Sequence, residues 1–263
     1  MNRIDRKLKH LKSQGKKAFI AYVTAGDPTM AMTEKIVSVL ESSGADMVEL
    51  GIPFSDPMAD GPVIQAASQR ALAGGATLAK AFGLVERIRK TSQVPIIFMT
   101  YFNPVLKYGL ADFFARCRKI GVDGVIVADL PLEESGELAD TARKSGVFVI
   151  LLVAPTSGRK RIKMIVKKST GFIYYVSLTG VTGSRGKLPS EISAAVKIVK
   201  SMTAKPVAVG FGVSNPQQAR EIAKTADGVI IGSAIVRIIG EKKNMIQRIS
   251  KLAKGLSEAI HNV

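Results

Sequence analysis

Short apolar runs alternate with longer helical patterns along this chain, and this alternation limits the folds that it can adopt. Eight such runs, rich in valine and isoleucine, are spread along its 263 residues. Their near-continuous apolarity is typical of parallel strands that are buried on both faces. The predicted strands span residues 19–24, 46–50, 95–101, 124–128, 148–153, 172–177, 206–209 and 228–231.

Helical patterns fill the segments between the strands, and some carry recognisable start signals. Asp27-Pro28 precedes the first of them, and Asn215-Pro216 precedes the seventh, with its proline in the first turn. A further amphipathic helix is predicted ahead of the first strand, over residues 2–14. The other predicted helices span residues 29–43, 62–73 with 77–90, 111–120, 133–145, 159–169, 189–200, 215–224 and 233–259.

Eight strands alternating with helices over about 250 residues are typical of a (β/α)8, or TIM, barrel. A weak internal repeat supports this fold, because Asp46, Asp123 and Asp227 each stand between a predicted helix end and a strand. A doubly wound open sheet is the alternative. We therefore predict an α/β TIM barrel with an extra N-terminal helix, formed as a single domain over residues 1–263.

Cysteine and histidine are too few for several kinds of active site. The chain has one cysteine, Cys117, and two histidines, His10 and His261, which lie near its ends. This excludes an internal disulfide framework and a cysteine cage for a metal, and it disfavours Ser-His-Asp catalysis and histidine-bound zinc. We expect no metal, and a reducing compartment such as the cytoplasm.

Charge and hydropathy limit the partners. The net charge is +17, but the basic residues are spread over the helices without interleaved aromatic residues, which favours a solvated surface over nucleic-acid binding. No stretch approaches the roughly 18 apolar residues of a membrane span. No apolar segment follows the basic start, which argues against a secretory signal. A transit peptide is the alternative, although the first strand pattern already begins at Phe19.

The active site of a TIM barrel lies at the carboxyl ends of its strands. Glu49 stands in the second predicted strand, on the same face as Met47 because side chains alternate along a strand. A buried carboxyl group costs free energy unless it is paired or functional, and burial favours its neutral form, which suits acid–base chemistry. We favour a catalytic role for Glu49, with a salt bridge at the strand end as the alternative.

The loop after this strand holds two more carboxyl groups, those of Asp56 and Asp60, among three prolines. Proline stiffens a loop, so either group could be held in a defined place. Capping of the next helix is the alternative for both residues. No predicted strand contains a lysine, which disfavours a Schiff base and requires a substrate with its own electron sink.

The predicted ends of the sixth, seventh and eighth strands are rich in glycine and small polar residues. Glycine lets the backbone approach a ligand, and helix N-termini present free N–H groups to anions. TIM barrels often bind phosphate beside strands seven and eight. The three loops together predict a phosphorylated small-molecule substrate, with ordinary tight turns as the alternative.

The motif ELGIPFSDPMADGP, from Glu49 to Pro62, resembles the signature of the tryptophan synthase alpha subunit family. Shorter motifs in the same order extend the resemblance across nearly the whole chain: TAGDP at 24–28, YFNP at 101–104, ADLP at 128–131, GVTG at 180–183, GFG at 210–212 and GSAIV at 232–236. The resemblance implies a TIM barrel that cleaves indole-3-glycerol phosphate to indole and glyceraldehyde 3-phosphate. It also implies no cofactor in this chain, and a beta subunit that carries pyridoxal phosphate and receives indole through a tunnel within a heterotetramer of two alpha and two beta subunits.

The resemblance further implies roles for individual residues. Glu49 would protonate C3 of the indole ring and then take the proton of the glycerol hydroxyl, while Asp60 would stabilise the charge that develops at the indole N–H. Thr182 would lie near Asp60 in a loop, 178–188, that closes over the substrate. The phosphate would be held by Gly183, Gly212, Gly232 and Ser233. The apolar slot for the indole ring would be lined by Tyr22, Met99, Ile126, Tyr174, Phe211 and Ile230.

Two alternative functions share these motifs. One is a standalone indole-3-glycerol phosphate lyase, and the other is a catalytically weak subunit that activates a beta partner. The presence of Glu49 and Asp60 argues against the second. The chain departs from the family pattern at Tyr22, Met58 and Val63, which affects the shape of the slot and the loop but removes no catalytic group.

Overall fold

The computed structural model describes residues 1–176, 188–210 and 212–263, and within them nine parallel strands form one sheet. The strands are β1 (Ala18–Thr24), β2 (Met47–Gly51), β3 (Ile96–Thr100), β4 (Gly124–Val127), β5 (Phe148–Val149), β6 (Leu152–Val153), β7 (Ile173–Val176), β8 (Val207–Gly210) and β9 (Gly228–Ile231). The helices are α1 (Arg3–Ser13), α2 (Met30–Ser42), α3 (Pro62–Ala73), α4 (Leu78–Ile88), α5 (Phe102–Tyr108), α6 (Leu110–Ile120), α7 (Gly136–Ser145), α8 (Arg159–Lys168), α9 (Leu188–Lys200), α10 (Pro216–Ala223), α11 (Ser233–Glu241) and α12 (Met245–His261).

The sheet closes on itself. Its order is β5-β4-β3-β2-β1-β9-β8-β7-β6, and the two end strands are parts of one extended segment, separated only by Ile150 and Leu151. Backbone hydrogen bonds continue through this gap, since Ile150 N donates to Val125 O at 3.0 Å and Tyr174 N donates to Leu151 O at 3.2 Å. The predicted TIM barrel is therefore confirmed, and the open-sheet alternative is wrong.

Alternation along the strands divides the core into two layers. Side chains that point into the barrel, such as Ile20, Met47 and Ile126, form an inner cluster. Side chains from the other face, such as Val48 and Phe98, pack against the surrounding helices in a larger cluster. Two positions after Met47, residue 49 shares the inner face, so the barrel interior receives the carboxyl group that the sequence singles out.

Helix α1 packs across the N-terminal end of the barrel. Ile4 is fully buried in the inner cluster together with Leu11. A Cβ added to Gly124 or Gly171, which stand on either side of the β5–β6 segment, would lie within 3.4 Å of the Ile4 side chain. The predicted N-terminal helix is confirmed, and its apolar face covers the end of the barrel away from the predicted active site.

Two helical segments differ from the sequence prediction. The single helix predicted over 233–259 is two helices, α11 and α12, because Lys242 and Asn244 between them have φ values of 58° and 46°. Residues in the left-handed region cannot continue a right-handed helix. Helix α5 was not predicted, since its seven residues are too few to show a repeating apolar face. Among the described residues, no helix combines the length and apolarity needed to cross a membrane.

Candidate active site

Glu49 lies inside the barrel near the carboxyl end of β2 and is 0% exposed. Neither of its carboxylate oxygens has a hydrogen-bond partner among the described residues. Burial, followed by the charge of nearby Asp60, raises the pKa of Glu49 to about 8. The group is therefore mostly protonated at pH 7 and able to donate a proton. The salt-bridge alternative is wrong within the described part of the chain.

Asp60 is half-buried in the loop between β2 and α3. Burial raises its pKa to about 6, although a hydrogen bond from Tyr101 lowers it. At pH 7 Asp60 is therefore mostly charged while Glu49 is mostly neutral. Two neighbouring carboxyl groups whose pKa values are set apart by their surroundings are suited to different roles in one reaction.

Helix α3, which follows this loop, does not use either aspartate as a cap. It begins at Pro62 with Gly61 in the N-cap position, and no side chain makes a capping hydrogen bond there. Asp56 is exposed and its carboxylate accepts a hydrogen bond from Ser55 Oγ. The capping alternative is therefore wrong for both aspartates, and Asp60 is the one whose charge acts on Glu49.

Two tyrosine rings lie beside the carboxyl groups, in space that glycines leave free. A Cβ added to Gly51 would collide with the Tyr22 phenol, and one added to Gly210 would collide with the Tyr174 phenol. Both tyrosines are buried, and this burial, together with the nearby carboxyl groups, raises the pKa of each phenol. The two hydroxyls therefore remain neutral and can donate hydrogen bonds at the site.

The structure brings most of the predicted indole slot together. Four of its six residues pack in the inner cluster, namely Met99, Ile126, Tyr174 and Ile230. Tyr22 packs with Met99 in an adjoining cluster. Phe211 lies outside the described residues. The described slot is thus apolar on its walls and bounded by carboxyl and hydroxyl groups.

The predicted phosphate site is described in part. Gly232 takes the N-cap position of α11 and Ser233 its first turn, without a capping side chain, so the first backbone N–H groups of this helix are available to an anion. A Cβ added to Gly212, just after the end of β8, would meet no described atom within 4 Å. Thr182, Gly183 and the loop that contains them, up to residue 187, lie outside the described residues.

Sequence reasoning missed two residues that hold the Asp60 loop. Tyr101 Oη accepts a hydrogen bond from Ala59 N at 3.0 Å. Gln65 Nε2 donates to Asp60 O at 2.9 Å. The YFNP motif at 101–104 was the available signal for the tyrosine, but a tyrosine directly after an apolar strand does not reveal which other loop its hydroxyl reaches.

A cavity of about 530 Å³ opens beside this loop. Phe54 and Tyr101 line it with their rings stacked, their centroids 5.1 Å apart. Met58, on the same rim, is 91% exposed. The loop that carries Asp60 therefore presents apolar surface to solvent beside this cavity. Among the described residues, no three His, Cys, Asp or Glu side chains are grouped so as to hold a metal ion.

Comparisons with known proteins identify the family of this chain. The model of the family described as tryptophan synthase alpha chain matches residues 8–261. A tryptophan synthase alpha chain from Caldanaerobacter subterraneus subsp. tengcongensis is 47% identical over 263 residues, covering 99% of this chain and 100% of that relative. The chain belongs to the tryptophan synthase alpha chain family. Another alpha chain, from Geobacter sulfurreducens, is 46% identical and covers 100% of both chains.

Solved structures of tryptophan synthase have the same fold. The alpha subunit of Legionella pneumophila superposes with a TM-score of 0.93 at 40% identity and 100% coverage of both chains. A structure described as the mutually activated tryptophan synthase complex of Pyrococcus furiosus gives 0.87 at 40% identity, covering 92% of this chain and 98% of that one. Tryptophan synthase alpha chains cleave indole-3-glycerol phosphate, and this lyase reaction is the activity of the chain. Neither alternative function is favoured by these relatives.

Proposed function

We propose that Glu49 and Asp60 carry out the cleavage of indole-3-glycerol phosphate, Glu49 as the acid and base and Asp60 as the electrostatic partner of the indole ring. The observation that carries this proposal is the Glu49 carboxyl group, which is fully buried and lacks a hydrogen-bond partner among the described residues. Its proton and its lone pairs are therefore free to act on a bound substrate. A pKa of about 8 keeps most of the groups protonated at pH 7.

The reaction begins with proton transfer from Glu49 to C3 of the indole ring, which leaves an iminium-like cation. Asp60, charged at pH 7 because its pKa is about 6, accepts a hydrogen bond from the indole N–H and stabilises this cation. The Glu49 carboxylate then takes the proton of the glycerol hydroxyl. The carbon–carbon bond breaks, its electrons return to the ring, and indole and glyceraldehyde 3-phosphate are released.

Substrate binding uses the two ends of the site. The indole ring would lie against the apolar slot around Met99, where its nitrogen faces Asp60. The phosphate would bind at the start of α11, on the N–H groups that follow Gly232 and Ser233, with Gly212 leaving room for its oxygens. Thr182 and Gly183 would complete the phosphate side.

A beta subunit is the proposed partner of this face. Met58 is 91% exposed on the loop that carries Asp60, and the stacked rings of Phe54 and Tyr101 line the cavity next to it. A partner seated there would cover this surface and receive indole through a tunnel without releasing it to water. Pyridoxal phosphate would belong to that subunit, and the assembly would hold two alpha and two beta subunits. One buried cysteine, Cys117, fits the reducing cytoplasm as its compartment.

The proposed roles are tested by indole release from indole-3-glycerol phosphate, measured for wild type, Glu49→Gln and the exposed control Glu137→Gln, each with and without a beta subunit. We expect weak activity alone, an increase with the beta subunit, and loss only in Glu49→Gln. High activity of the isolated chain would indicate a standalone lyase. Activation of the beta partner without any indole release would indicate the catalytically weak subunit.

The docking face is tested separately by Met58→Asp, with Met164→Asp as a matched control. Met164 is 46% exposed on α8, a helix that does not line the cavity. Titration of each variant with a beta subunit by isothermal calorimetry should show weaker binding for Met58→Asp alone. Equal affinities would place the partner elsewhere.

A further inference from the structure

The loop that carries Asp60 is attached to its neighbours from two directions. Tyr101, at the N-cap position of α5, accepts the N–H of Ala59 on its hydroxyl oxygen at 3.0 Å. Gln65, in α3, donates its amide N–H groups to the carbonyl oxygens of Asp60 at 2.9 Å and Pro57 at 3.4 Å. The segment just before α3 is thus held at its amide side by one residue and at its carbonyl side by another.

The hydroxyl of Tyr101 has a second neighbour. Because its oxygen accepts from Ala59, its own proton remains available to an acceptor. The Asp60 carboxylate, one residue beyond Ala59, is the nearby charged acceptor, and the Tyr101 hydroxyl lowers the pKa of Asp60 against the larger effect of burial. A hydrogen bond to the charged form of a carboxyl group both favours that form and restricts its orientation.

The ring of Tyr101 is held independently of its hydroxyl. It is 4% exposed and stacks on Phe54 at 5.1 Å with an angle of 28° between the ring planes. Phe54 belongs to the same loop as Asp60. Removal of the hydroxyl alone should therefore leave the ring in place, and its effect can be separated from loss of packing.

Building on the proposed function, we infer that Tyr101 is a positioning residue that holds the Asp60 carboxylate in the orientation that the indole N–H requires. Its hydroxyl holds the backbone N–H directly before Asp60, so the place of the carboxylate follows that of the Tyr101 ring. Gln65 holds the backbone carbonyl groups of the same loop from α3. Tyr101 thereby links the outer cavity, which its ring lines, to the group that stabilises the charge on the indole ring.

The test is the pH profile of kcat/KM for indole-3-glycerol phosphate in Tyr101→Phe. We expect kcat/KM to fall about 10- to 100-fold, the effect of losing one hydrogen bond to a charged group. The acid limb of the profile should move by about one unit to higher pH, because the variant loses an interaction that favours ionised Asp60. A purely structural defect would lower the profile without moving its acid limb.

Two further variants sharpen this test. Tyr108→Phe is the control, since Tyr108 is 40% exposed on the same helix and should change neither quantity. Gln65→Met should lower kcat without moving the acid limb, because Gln65 contacts carbonyl oxygens and not the carboxylate. Circular dichroism confirms that each variant is folded before its kinetics are compared.

The outcomes separate this inference from the proposed function. Wild-type kcat/KM and an unmoved acid limb in Tyr101→Phe, with indole release lost in Glu49→Gln, would overturn the inference and leave the proposed function intact. Full activity in Glu49→Gln would overturn both. A lower kcat/KM with a shifted acid limb in Tyr101→Phe, and no change in Tyr108→Phe, would support the inference.

Discussion

Carboxyl groups at the two ends of the barrel have different surroundings. At the N-terminal end, Asp46, Asp123 and Asp227 each precede a strand, and each accepts the N–H of the first or second residue of the strand before it at 2.9 Å. Each also donates its own N–H to the carbonyl of that same residue. At the C-terminal end, Glu49 is buried without a hydrogen-bond partner among the described residues.

Asp123 shows the N-terminal pattern most fully. Its carboxylate pairs with Arg3 at 3.1 Å and Arg89 at 2.9 Å, and it accepts the N–H of Ile96. The repeat seen in the sequence is thus a repeated link between adjacent strands. Because Arg3, Arg89 and a backbone N–H pair with this carboxylate, it stabilises the fold and is not available to a substrate.

The lack of a partner is specific to Glu49 and is not shared by every buried carboxyl group at the C-terminal end. Asp27, in the loop after β1, is as deeply buried but pairs with Arg70 through two hydrogen bonds. A carboxyl group therefore stabilises the fold where partners converge on it, and becomes reactive where burial leaves it unpaired.

The largest effect is expected from Glu49→Gln, which should lower kcat about 10³- to 10⁴-fold, as loss of a general acid does. The same substitution should raise the free energy of unfolding at neutral pH. The folded pKa of Glu49, about 8, exceeds its ordinary value of 4.5, so the folded state holds the proton more tightly than the unfolded chain. Wild-type stability should therefore fall as pH rises from about 5 to about 8 and level off above that, whereas Glu49→Gln should lack this fall.

Urea unfolding of wild type and Glu49→Gln between pH 5 and pH 9 measures this difference. Parallel pH dependence in the two proteins would show that Glu49 is not held neutral by burial. The contrast with the N-terminal aspartates would then disappear.

The second effect is a loss of stability at the opposite end. Asp123→Ala should lower the free energy of unfolding by about 3–5 kcal/mol, because it leaves Arg3 and Arg89 without their shared partner. The exposed pair of Asp140 with Arg143 is the control, and Asp140→Asn should cost about 0–1 kcal/mol. Urea titration gives both values, and kcat/KM of the folded Asp123→Ala protein should match wild type. A selective loss of activity there would contradict a purely structural role.

Glycines at the two ends should respond differently to an added methyl group. Gly212→Ala enters space free of described atoms, so we expect normal stability and a KM about tenfold higher for the phosphorylated substrate. Gly228→Ala would stand 3.2 Å from Ala18 Cβ, so it should lower stability by about 1–3 kcal/mol without raising KM. Steady-state kinetics and thermal unfolding of both variants test this, and the reverse assignment of effects would refute it.

The smallest effects are expected around Asp46, which has several partners. His261→Ala removes the ring nitrogen that lies 2.8 Å from the Asp46 carboxylate and should lower the free energy of unfolding by about 1 kcal/mol. Lys7→Met removes a partly exposed ammonium group 3.7 Å from the Asp46 carboxylate and should lower the free energy of unfolding by less than about 0.5 kcal/mol. Neither change should alter kcat/KM. A larger effect from Lys7 than from His261 would mean that charge, and not hydrogen bonding, stabilises this carboxylate.

Most of the fold could be predicted because its signals are local. Every predicted strand has its counterpart in the barrel, and the helix at the N-terminus lies where its apolar spacing places it. The break at Lys242 and Asn244 could not be predicted, since the apolar pattern of α11 and α12 continues across it and only packing selects the left-handed backbone there. The closing loop predicted over 178–188 stays a prediction, since residues 177–187 lie outside the described residues.

Local signals were enough to predict the barrel, the family and the inward direction of Glu49, since strand alternation and motif spacing depend only on nearby residues. Long-range packing had to be seen to know that Glu49 lacks a partner within the described chain, that Asp60 and not Asp56 acts on it, and that Tyr101 reaches Ala59. That last contact joins residues 42 positions apart. Burial, pKa and hydrogen bonding at the site depend on such distant residues, which no local pattern can bring together.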